Sequence, residues 1–375
     1  MNTHDYFPAS YAESRARFLR DTRLLQSKWP DSQLETHPLK NHPGLSLDWF
    51  WAPPTRPETL VLISTAEHGI EGYVGSAILK LFMEELAPRL NPATTGLLLI
   101  HTINPWGMAN RCRVNPNNVD LNRNFVLDAN YDPALNPAYD ELLPLLNPAH
   151  PVGNLTLATL GFLGKVIRGL ISPGQARIQA ATLLGQHRHP AGVYFGGQEC
   201  QEETAVLLGL FRRALAACQN ILQIDLHTGY GPRYQMTALL PSNDPTISSA
   251  AAAARFNYPR VQKVDASEFY AISGDMCETF VRLRDAEFPG KNLLAGGFEF
   301  GTFGDSLPAL IRSLRATILE NQLRHYGAKT EAIAAAIRAE FGELFFPTEL
   351  RWRQKALADA RQALTGILRA YQLID

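Results

Sequence analysis

The stretch that decides the fold runs from Thr59 to Val74 and reads T-L-V-L-I-S-T-A-E-H-G-I-E-G-Y-V. Its first five residues are apolar or β-branched, as in a buried strand, and apolar residues then recur at helical spacing as far as Phe82. The loop between strand and helix carries His68 and Glu71, and loops at this end of α/β sheets bind ligands. An imidazole and a carboxylate can share one divalent metal ion, although such a pair is common in loops that bind nothing.

Composition narrows the class of protein. The 375 residues are 46% hydrophobic and 19% charged, as in an ordinary globular protein, and the formal net charge of −1 argues against a nucleic-acid partner or a charge-driven membrane partner. The four cysteines form no C-x-x-C pair, so we expect neither a cysteine zinc site nor a disulfide framework. The first twenty residues lack the apolar core of a signal peptide, and Lys165 and Arg168 interrupt the apolar stretch Leu155–Ser172. We therefore expect a cytoplasmic protein without a membrane span; its oligomeric state is not predicted.

The wider pattern predicts an α/β fold, and 375 residues are enough for one large domain or two. A strand at Gly96–His101 follows the first strand and helix, so the two strands form a βαβ unit with a parallel pair and a right-handed crossover. Further strands are predicted at Ser46–Trp51, Asn220–His227, Met236–Leu240 and Leu293–Phe300, with helices near residues 9–27, 201–218, 245–256, 306–325 and 355–373. Residues 127–190 are predicted to form a helical insertion, with helices at Tyr139–Leu146 and Leu155–Leu184.

The segment from Asn104 to Phe125 is polar, irregular and rich in asparagine, proline and arginine. Long loops inside a domain are usually functional or disordered. Its three arginines, Arg111, Arg113 and Arg123, favour a functional loop, because guanidinium groups bind carboxylates through two hydrogen bonds. The alternative is a surface loop held by local ion pairs.

A metal site can be assembled from the strand ends. His227 ends a predicted strand, where a third ligand for His68 and Glu71 is needed, and two histidines with one glutamate leave a zinc position open for water. Glu299 lies in an otherwise apolar strand, where a carboxylate is costly unless it is paired, protonated or functional. We expect it to take a proton from the water and to give one to the leaving nitrogen.

The remaining candidates surround that centre. Arg113 is predicted to stabilise the developing oxyanion, while Asn122 and Arg123 would bind a substrate carboxylate. Tyr270 could close over the bound end, and Asp120 could orient a ligand histidine through its second ring nitrogen.

Together these residues resemble the zinc metallocarboxypeptidases of the carboxypeptidase A type. The matching motifs, in order, are H-G-I-E-G (His68–Gly72), V-D-L-N-R-N-F (Val119–Phe125), D-L-H-T-G (Asp225–Gly229), Y-A-I-S-G (Tyr270–Gly274) and F-E-F (Phe298–Phe300). The resemblance covers about residues 59 to 303 and is greatest to the bacterial carboxypeptidase-like branch. It implies a three-layer α/β/α fold around a mixed, mostly parallel sheet, in a single domain of residues 1–375.

The resemblance also implies a role for each matching position. One Zn²⁺ per chain would be held by His68, Glu71 and His227, with Glu299 as the general base and acid. The roles that it implies for the other positions agree with those above: carbonyl polarisation by Arg113, carboxylate binding by Asn122 and Arg123, capping by Tyr270, and orientation of His68 by Asp120.

Two departures concern the substrate. Thr228 and Gly229 follow His227, a pattern similar to that of succinylglutamate desuccinylase and aspartoacylase, which remove an acyl group from an amino acid. The insertion has no counterpart in the digestive enzymes. Cys277 is expected to line the side-chain pocket, and because it is neither acidic nor basic, nothing there requires a charged substrate side chain.

We therefore predict a zinc-dependent hydrolase of an amide next to a free carboxylate, acting on small peptides in preference to acyl amino acids. A scaffold that binds peptide or carboxylate without turnover is the alternative of another class. A serine or cysteine hydrolase is disfavoured because G-x-S-x-G is absent from the sequence.

Overall fold

The centre of the molecule is one mixed β-sheet. The computed structural model describes residues 3–171, 178, 181–240, 248–263 and 273–375, and eight strands lie within them. In chain order they are β1 (Gln33–Pro38), β2 (Ser46–Ala52), β3 (Thr59–Thr65), β4 (Thr95–Ile100), β5 (Asn220–Gly229), β6 (Met236–Leu240), β7 (Val261–Lys263) and β8 (Asn292–Gly301). Their spatial order is β1-β2-β4-β3-β5-β8-β6-β7. The pairs β4–β3, β3–β5, β5–β8 and β6–β7 are parallel and the other three are antiparallel, so the predicted mixed, mostly parallel sheet is confirmed.

Helices surround this sheet. They are α1 (Tyr11–Gln26), α2 (Gly72–Leu81), α3 (Pro105–Asn110), α4 (Pro137–Glu141), α5 (Leu143–Leu146), α6 (Leu155–Ile171), α7 (Glu202–Ala217), α8 (Ser249–Arg255), α9 (Met276–Glu287), α10 (Leu307–Tyr326), α11 (Glu331–Phe345) and α12 (Leu350–Ala370). Short 3₁₀ turns lie at Thr3–Tyr6, Gly69–Glu71, Ala87–Arg89 and Leu121–Arg123, and a π-helical turn at Phe82–Leu86 continues α2. Within the described ranges, none of these helices has the length and apolarity needed to cross a membrane.

The alternation of side chains along β3 shows how the layers form. Val61 and Ile63 are buried in a core shared with α1, α2, α11 and α12. Leu60 and Leu62 point to the opposite face, into a core shared with α7 and α9. Because successive side chains of a strand point to opposite faces, a strand that is apolar at every position is covered on both sides. The result is the α/β/α arrangement that the resemblance implied.

Several predicted elements have different limits in the structure. Strand β1 was not predicted, because its sequence Q-L-E-T-H-P lies at a partly exposed sheet edge and has no apolar alternation. Helix α3 lies inside the segment predicted to be irregular, and α11 was not predicted either. The helix predicted after the first strand leaves α-geometry after Leu81, one residue before its apolar pattern ends at Phe82. The helix expected over residues 245–256 begins at Ser249, and residues 245–247 lie outside the described part of the chain.

The segment predicted as an insertion packs on α10. Its first predicted helix is divided at Leu142 into α4 and α5. Its second is described as α6 as far as Ile171, and residues 172–177 and 179–180 of the predicted helix lie outside the described part of the chain. Phe162 and Val166 of α6 are buried with Ile318 of α10 in a separate apolar cluster. The segment is thereby fixed against α10. Its status as an insertion stays a prediction.

Candidate metal centre

The loop after β3 is held in one conformation by its backbone. Gly69 N–H donates to the carbonyl of Arg113 at 3.0 Å, and Ile70 N–H donates to that of Cys112 at 2.9 Å. A Cβ at Gly69 would lie 2.1 Å from the carbonyl carbon of Gly107, so only glycine fits this crossing of two loops. The contact fixes the short 3₁₀ turn that presents His68 and Glu71.

Parallel pairing brings the distant candidates to the same place. Strands β3, β5 and β8 are neighbours, and His227 on β5 lies directly beside Glu299 on β8. The carboxyl ends of parallel strands lie at one edge of the sheet, so the loop carrying His68 and Glu71 meets both. The structure therefore brings together residues separated by more than 200 positions in the sequence.

Three side chains converge on one point. His68 Nδ1 lies 2.9 Å from Glu71 Oε1, and His227 Nδ1 lies 3.2 Å from Glu71 Oε2. One ligand atom from each residue lies within 4.8 Å of the other two. Ligands about 2.1 Å from a tetrahedral ion stand roughly 3.4 Å apart, which is close to these separations. The spacing therefore fits a single ion.

The second nitrogen of each imidazole lies beside a buried carboxylate. His68 Nε2 is 3.0 Å from Asp120 Oδ1, and His227 Nε2 is 2.5 Å from Asp225 Oδ2. Asp225 is itself oriented by Ser64, whose hydroxyl donates to Oδ1 at 2.6 Å. A carboxylate that accepts the Nε2 proton leaves the Nδ1 lone pair available, which is the usual arrangement of a histidine that binds metal.

The arrangement of these atoms favours a bound cation over direct hydrogen bonds between them. His68 Nδ1 is buried and has no hydrogen-bond partner among the described residues, although a carboxylate oxygen stands 2.9 Å away. Burial raises the pKa of Glu71, but the charge of His68 and the hydrogen bonds of both imidazoles outweigh it and hold this pKa below its ordinary range. Burial is the largest single influence and lowers the pKa of His227, but the carboxylates of Asp225 and Glu71 together outweigh it and raise this pKa well above the usual value. His68, Glu71 and His227 could therefore hold one divalent ion.

Arg113 lies against this cluster. Its Nε donates to Asp120 Oδ2 at 3.1 Å, and one terminal nitrogen lies 3.5 Å from Glu71 Oε1. Burial disfavours the ionised form of Asp120, but Arg113, Arg123 and His68 outweigh it and hold the pKa of this carboxyl well below its ordinary value. Asp120 thus stays ionised between two guanidinium groups and an imidazole, and it orients them together.

Arg123 and Asn122 lie beside the cluster in different settings. Arg123 is almost fully buried, and its Nε has no hydrogen-bond partner within the described residues. Its guanidinium lies 5.7 Å from the ring centre of Tyr194. Asn122 Oδ1 accepts a hydrogen bond from the backbone N–H of Met276 at 3.0 Å, so its carbonyl oxygen fixes the start of α9. Arg123 lines the cavity and carries a positive charge that an anion there could bind, while Asn122 also has a structural role.

Glu299 is held at the open side of the cluster. Its Oε1 accepts a hydrogen bond from Tyr230 N–H at 2.9 Å. Burial, followed by the charge of Glu71, raises the pKa of Glu299 to about 7. A carboxyl group with a pKa near neutrality can both accept and return a proton, as a general base and acid must.

These groups line a cavity of about 480 Å³. His68, Glu71, His227, Arg113, Arg123, Asn122 and Glu299 all contribute to its wall. Cys277 lines it too, as predicted from the sequence. Tyr270 lies outside the described residues, and the roles assigned to all these site residues stay predictions.

Two buried carboxylates beside His227, those of Glu67 and Asp225, were not recognised as site residues from the sequence. Glu67 is 1% exposed and makes no hydrogen bond with the described residues; its Oε2 lies 3.5 Å from His227 Nε2. Burial and then the charge of Asp225 raise the pKa of Glu67 well above its ordinary value. A signal was present for both: Glu67 stands one position before His68 in the loop after β3, and Asp225 stands two positions before His227 in the mostly apolar strand β5.

A family model described as "Protein of unknown function (DUF2817)" matches residues 7–359. No curated protein matches the chain. The similar solved structures include bovine thrombin-activatable fibrinolysis inhibitor in complex with tick carboxypeptidase inhibitor, at 13% identity over 88% of this chain and 96% of that chain, with a TM-score of 0.45. Carboxypeptidase A from Helicoverpa armigera is 13% identical over 91% of this chain and 74% of that chain, also with a TM-score of 0.45.

A third similar structure is a succinylglutamate desuccinylase from Silicibacter sp. TM1040. It is 15% identical over 79% of this chain and 66% of that chain, with a TM-score of 0.38. These descriptions name the same groups of proteins as the resemblance predicted from the motifs.

Proposed function

The chain belongs to the DUF2817 family, and we propose that this protein hydrolyses an amide bond next to a free carboxylate with one bound divalent ion, zinc by the type of ligand. The observation that carries the proposal is the meeting of His68 Nδ1, His227 Nδ1 and the Glu71 carboxylate, with the second nitrogen of each imidazole held by a buried aspartate. Two imidazoles and one carboxylate are the ligands of zinc sites that keep a position open for water. When bound, such an ion supplies a water of lowered pKa and polarises a carbonyl group.

Glu299 is the proposed general base and acid. Its carboxyl group takes a proton from the attacking water and returns it to the nitrogen of the broken amide bond. The hydrogen bond from Tyr230 N–H holds one oxygen still, which leaves the other to receive the proton. The raised pKa supports this role, because a carboxyl group near neutrality transfers protons in both directions at little cost.

The arginines are the proposed anion-binding groups. Arg113 faces the ligand cluster and would stabilise negative charge that develops on the carbonyl oxygen of the substrate. Arg123, with its unpaired Nε, would bind the free carboxylate of the substrate, with the amide of Asn122 beside it. Asp120 positions both guanidinium groups and does not itself touch the substrate.

Small peptides are the first proposed substrates, and N-acyl amino acids are the second. The second class is favoured by one observation in the sequence: Thr228 and Gly229 follow His227, as in the deacylase relatives of the carboxypeptidases. Both classes place a free carboxylate next to the cleaved amide, so both use the same groups.

One experiment separates these functions. Metal content and hydrolysis are measured together, with dipeptides that vary at the C-terminal residue and with N-acyl amino acids, and Glu299→Gln is the matched variant. We expect bound metal in both proteins and turnover in the wild type, reduced about 10²- to 10⁴-fold by the substitution. Turnover of N-acyl amino acids alone would assign the second class. Bound metal without turnover in either protein would contradict the proposed enzymatic activity and favour a scaffold that only binds peptide or carboxylate.

A further inference from the structure

The cavity extends well beyond the groups that the reaction requires. Its polar end is formed by the ligand cluster, Glu299 and the arginines. Its other end is aliphatic, with side chains contributed by Val166, Ile178, Leu307, Leu310, Ile311 and Leu314. The volume of about 480 Å³ lies within the range of roughly 300 to 1,000 Å³ that is usual for sites that bury a whole drug-sized ligand.

This aliphatic wall is a built part of the fold. It is formed by α6 and Ile178 on one side and by the first half of α10 on the other. The two sides are joined by a buried cluster in which Val166 packs with Ile318, while Ile311 and Leu314 lie partly buried against it. Ala316 of α10 is buried in the main core with residues of the sheet, so α10 packs the wall in a fixed position relative to the metal centre.

The wall remains open to solvent where the cavity opens. Leu307 and Leu310 line the cavity and are 48% and 37% exposed. They lie three residues apart on α10, so they form one apolar surface at the cavity wall that a ligand can cover.

We propose that the substrate carries an extended apolar group, which the aliphatic end of this cavity binds while the amide and the free carboxylate occupy the polar end. The inference rests on the proposed function and specifies its substrate class. The apolar group has two sources: the acyl chain of an N-acyl amino acid, or the side chain of the C-terminal residue of a peptide.

Two substrate series test the inference and separate the sources. The first holds the amino acid constant and lengthens the acyl group from acetyl through hexanoyl to decanoyl. The second holds the acyl group constant and lengthens an unbranched C-terminal side chain. Burial of each methylene is expected to raise kcat/KM about fourfold in one of the two series, until the cavity is filled. Equal rates along both series would overturn the inference and leave the proposed hydrolysis standing.

A binding measurement keeps the inference testable without turnover. Binding of acetyl and decanoyl amino acids to the Glu299→Gln variant is measured by calorimetry, beside binding of the matching members of the peptide series. Tighter binding of the longer ligand in either series supports the apolar site even if no substrate is hydrolysed. Equal affinities in both series contradict it.

Two matched variants test whether the apolar group of the substrate binds at Leu310. Leu310→Ser alters a side chain that lines the cavity and is already exposed, so the fold should tolerate it, and it is expected to lower the ratio of long-chain to short-chain kcat/KM several-fold. Leu160→Ser changes a 60% exposed side chain of α6 that does not line the cavity, and this ratio should stay unchanged. An equal loss in both variants, or none in Leu310→Ser, would contradict the assigned position.

Discussion

Replacement of Asp120 by asparagine tests how the candidate metal centre is held together. Asp120 is fully buried, and its two oxygens face His68 Nε2 at 3.0 Å, Arg113 Nε at 3.1 Å and an Arg123 terminal nitrogen at 3.6 Å. All three partners are donors. An asparagine keeps one acceptor and places an N–H₂ group toward a second donor, so either the imidazole or a guanidinium loses its partner.

The expected magnitude follows from that lost partner. Removal of the group that orients a ligand histidine weakens metal binding about 10- to 100-fold, which is about 1.4 to 2.7 kcal/mol. A partner removed from a buried ion pair also costs about 3 to 5 kcal/mol of folding stability, so we expect a lower Tm as well. Metal affinity is measured by competition with a chromophoric chelator, at a temperature where circular dichroism shows the variant to be folded.

Two further variants complete that measurement. Asp225→Asn should weaken metal binding similarly, because Asp225 holds the second nitrogen of the other ligand, His227. Asp140→Asn is the negative control, since Asp140 pairs with Arg188 at the surface, away from the cavity. A folded Asp120→Asn protein that binds metal within twofold of the wild type would refute the reasoning.

Three other predictions concern the base, the anion-binding arginine and the core. Burial, and then the charge of Glu71, raise the pKa of Glu299 to about 7, and a general base must be unprotonated to act. We therefore expect kcat/KM to fall about tenfold per pH unit on the acid side, with an apparent pKa at or below 7 because a bound cation lowers it. A constant rate from pH 4.5 to 8 would contradict this. Arg123→Ala should reduce kcat/KM about 10- to 150-fold for substrates with a free carboxylate and little for amidated ones, so an equal loss on both would remove Arg123 from carboxylate binding. Burial lowers the pKa of His101 to about 3, so below pH 6.5 the unfolded chain takes up a proton that the folded protein does not. This residue should therefore lower the free energy of unfolding by about 2 kcal/mol between pH 6.5 and 5. Urea denaturation of His101→Gln should show a smaller loss over this range, and an unchanged loss would count against the prediction.

Much of this site could be predicted because its residues lie at the ends of strongly apolar strands. His68 and Glu71 follow the apolar strand β3, and His227 and Glu299 lie in the strands β5 and β8. Polar residues at such positions are conspicuous, because burial there is costly unless they are paired or functional. The pairing of β5 with β8 could not be predicted, since the apolar pattern of a buried strand does not determine its neighbours.

The features missed from the sequence depend on tertiary contacts. Strand β1 lies at the sheet edge, where half-exposed positions carry no apolar alternation. The beginning of α3 had a local signal, Asn104 as the cap before Pro105, but the arginine-rich segment after it favoured an irregular loop. Tyr194 lies beside Arg123 in the cavity wall, a contact between residues far apart in the sequence that no local pattern reveals.

The central claim is that one ion is shared by His68, Glu71 and His227. The most direct test is the metal content of purified wild type, His68→Ala and His227→Ala, measured by elemental analysis after dialysis without chelator, with circular dichroism to confirm folding. The account predicts about one divalent ion per chain in the wild type and almost none in either variant. An unchanged metal stoichiometry in both folded variants would contradict it.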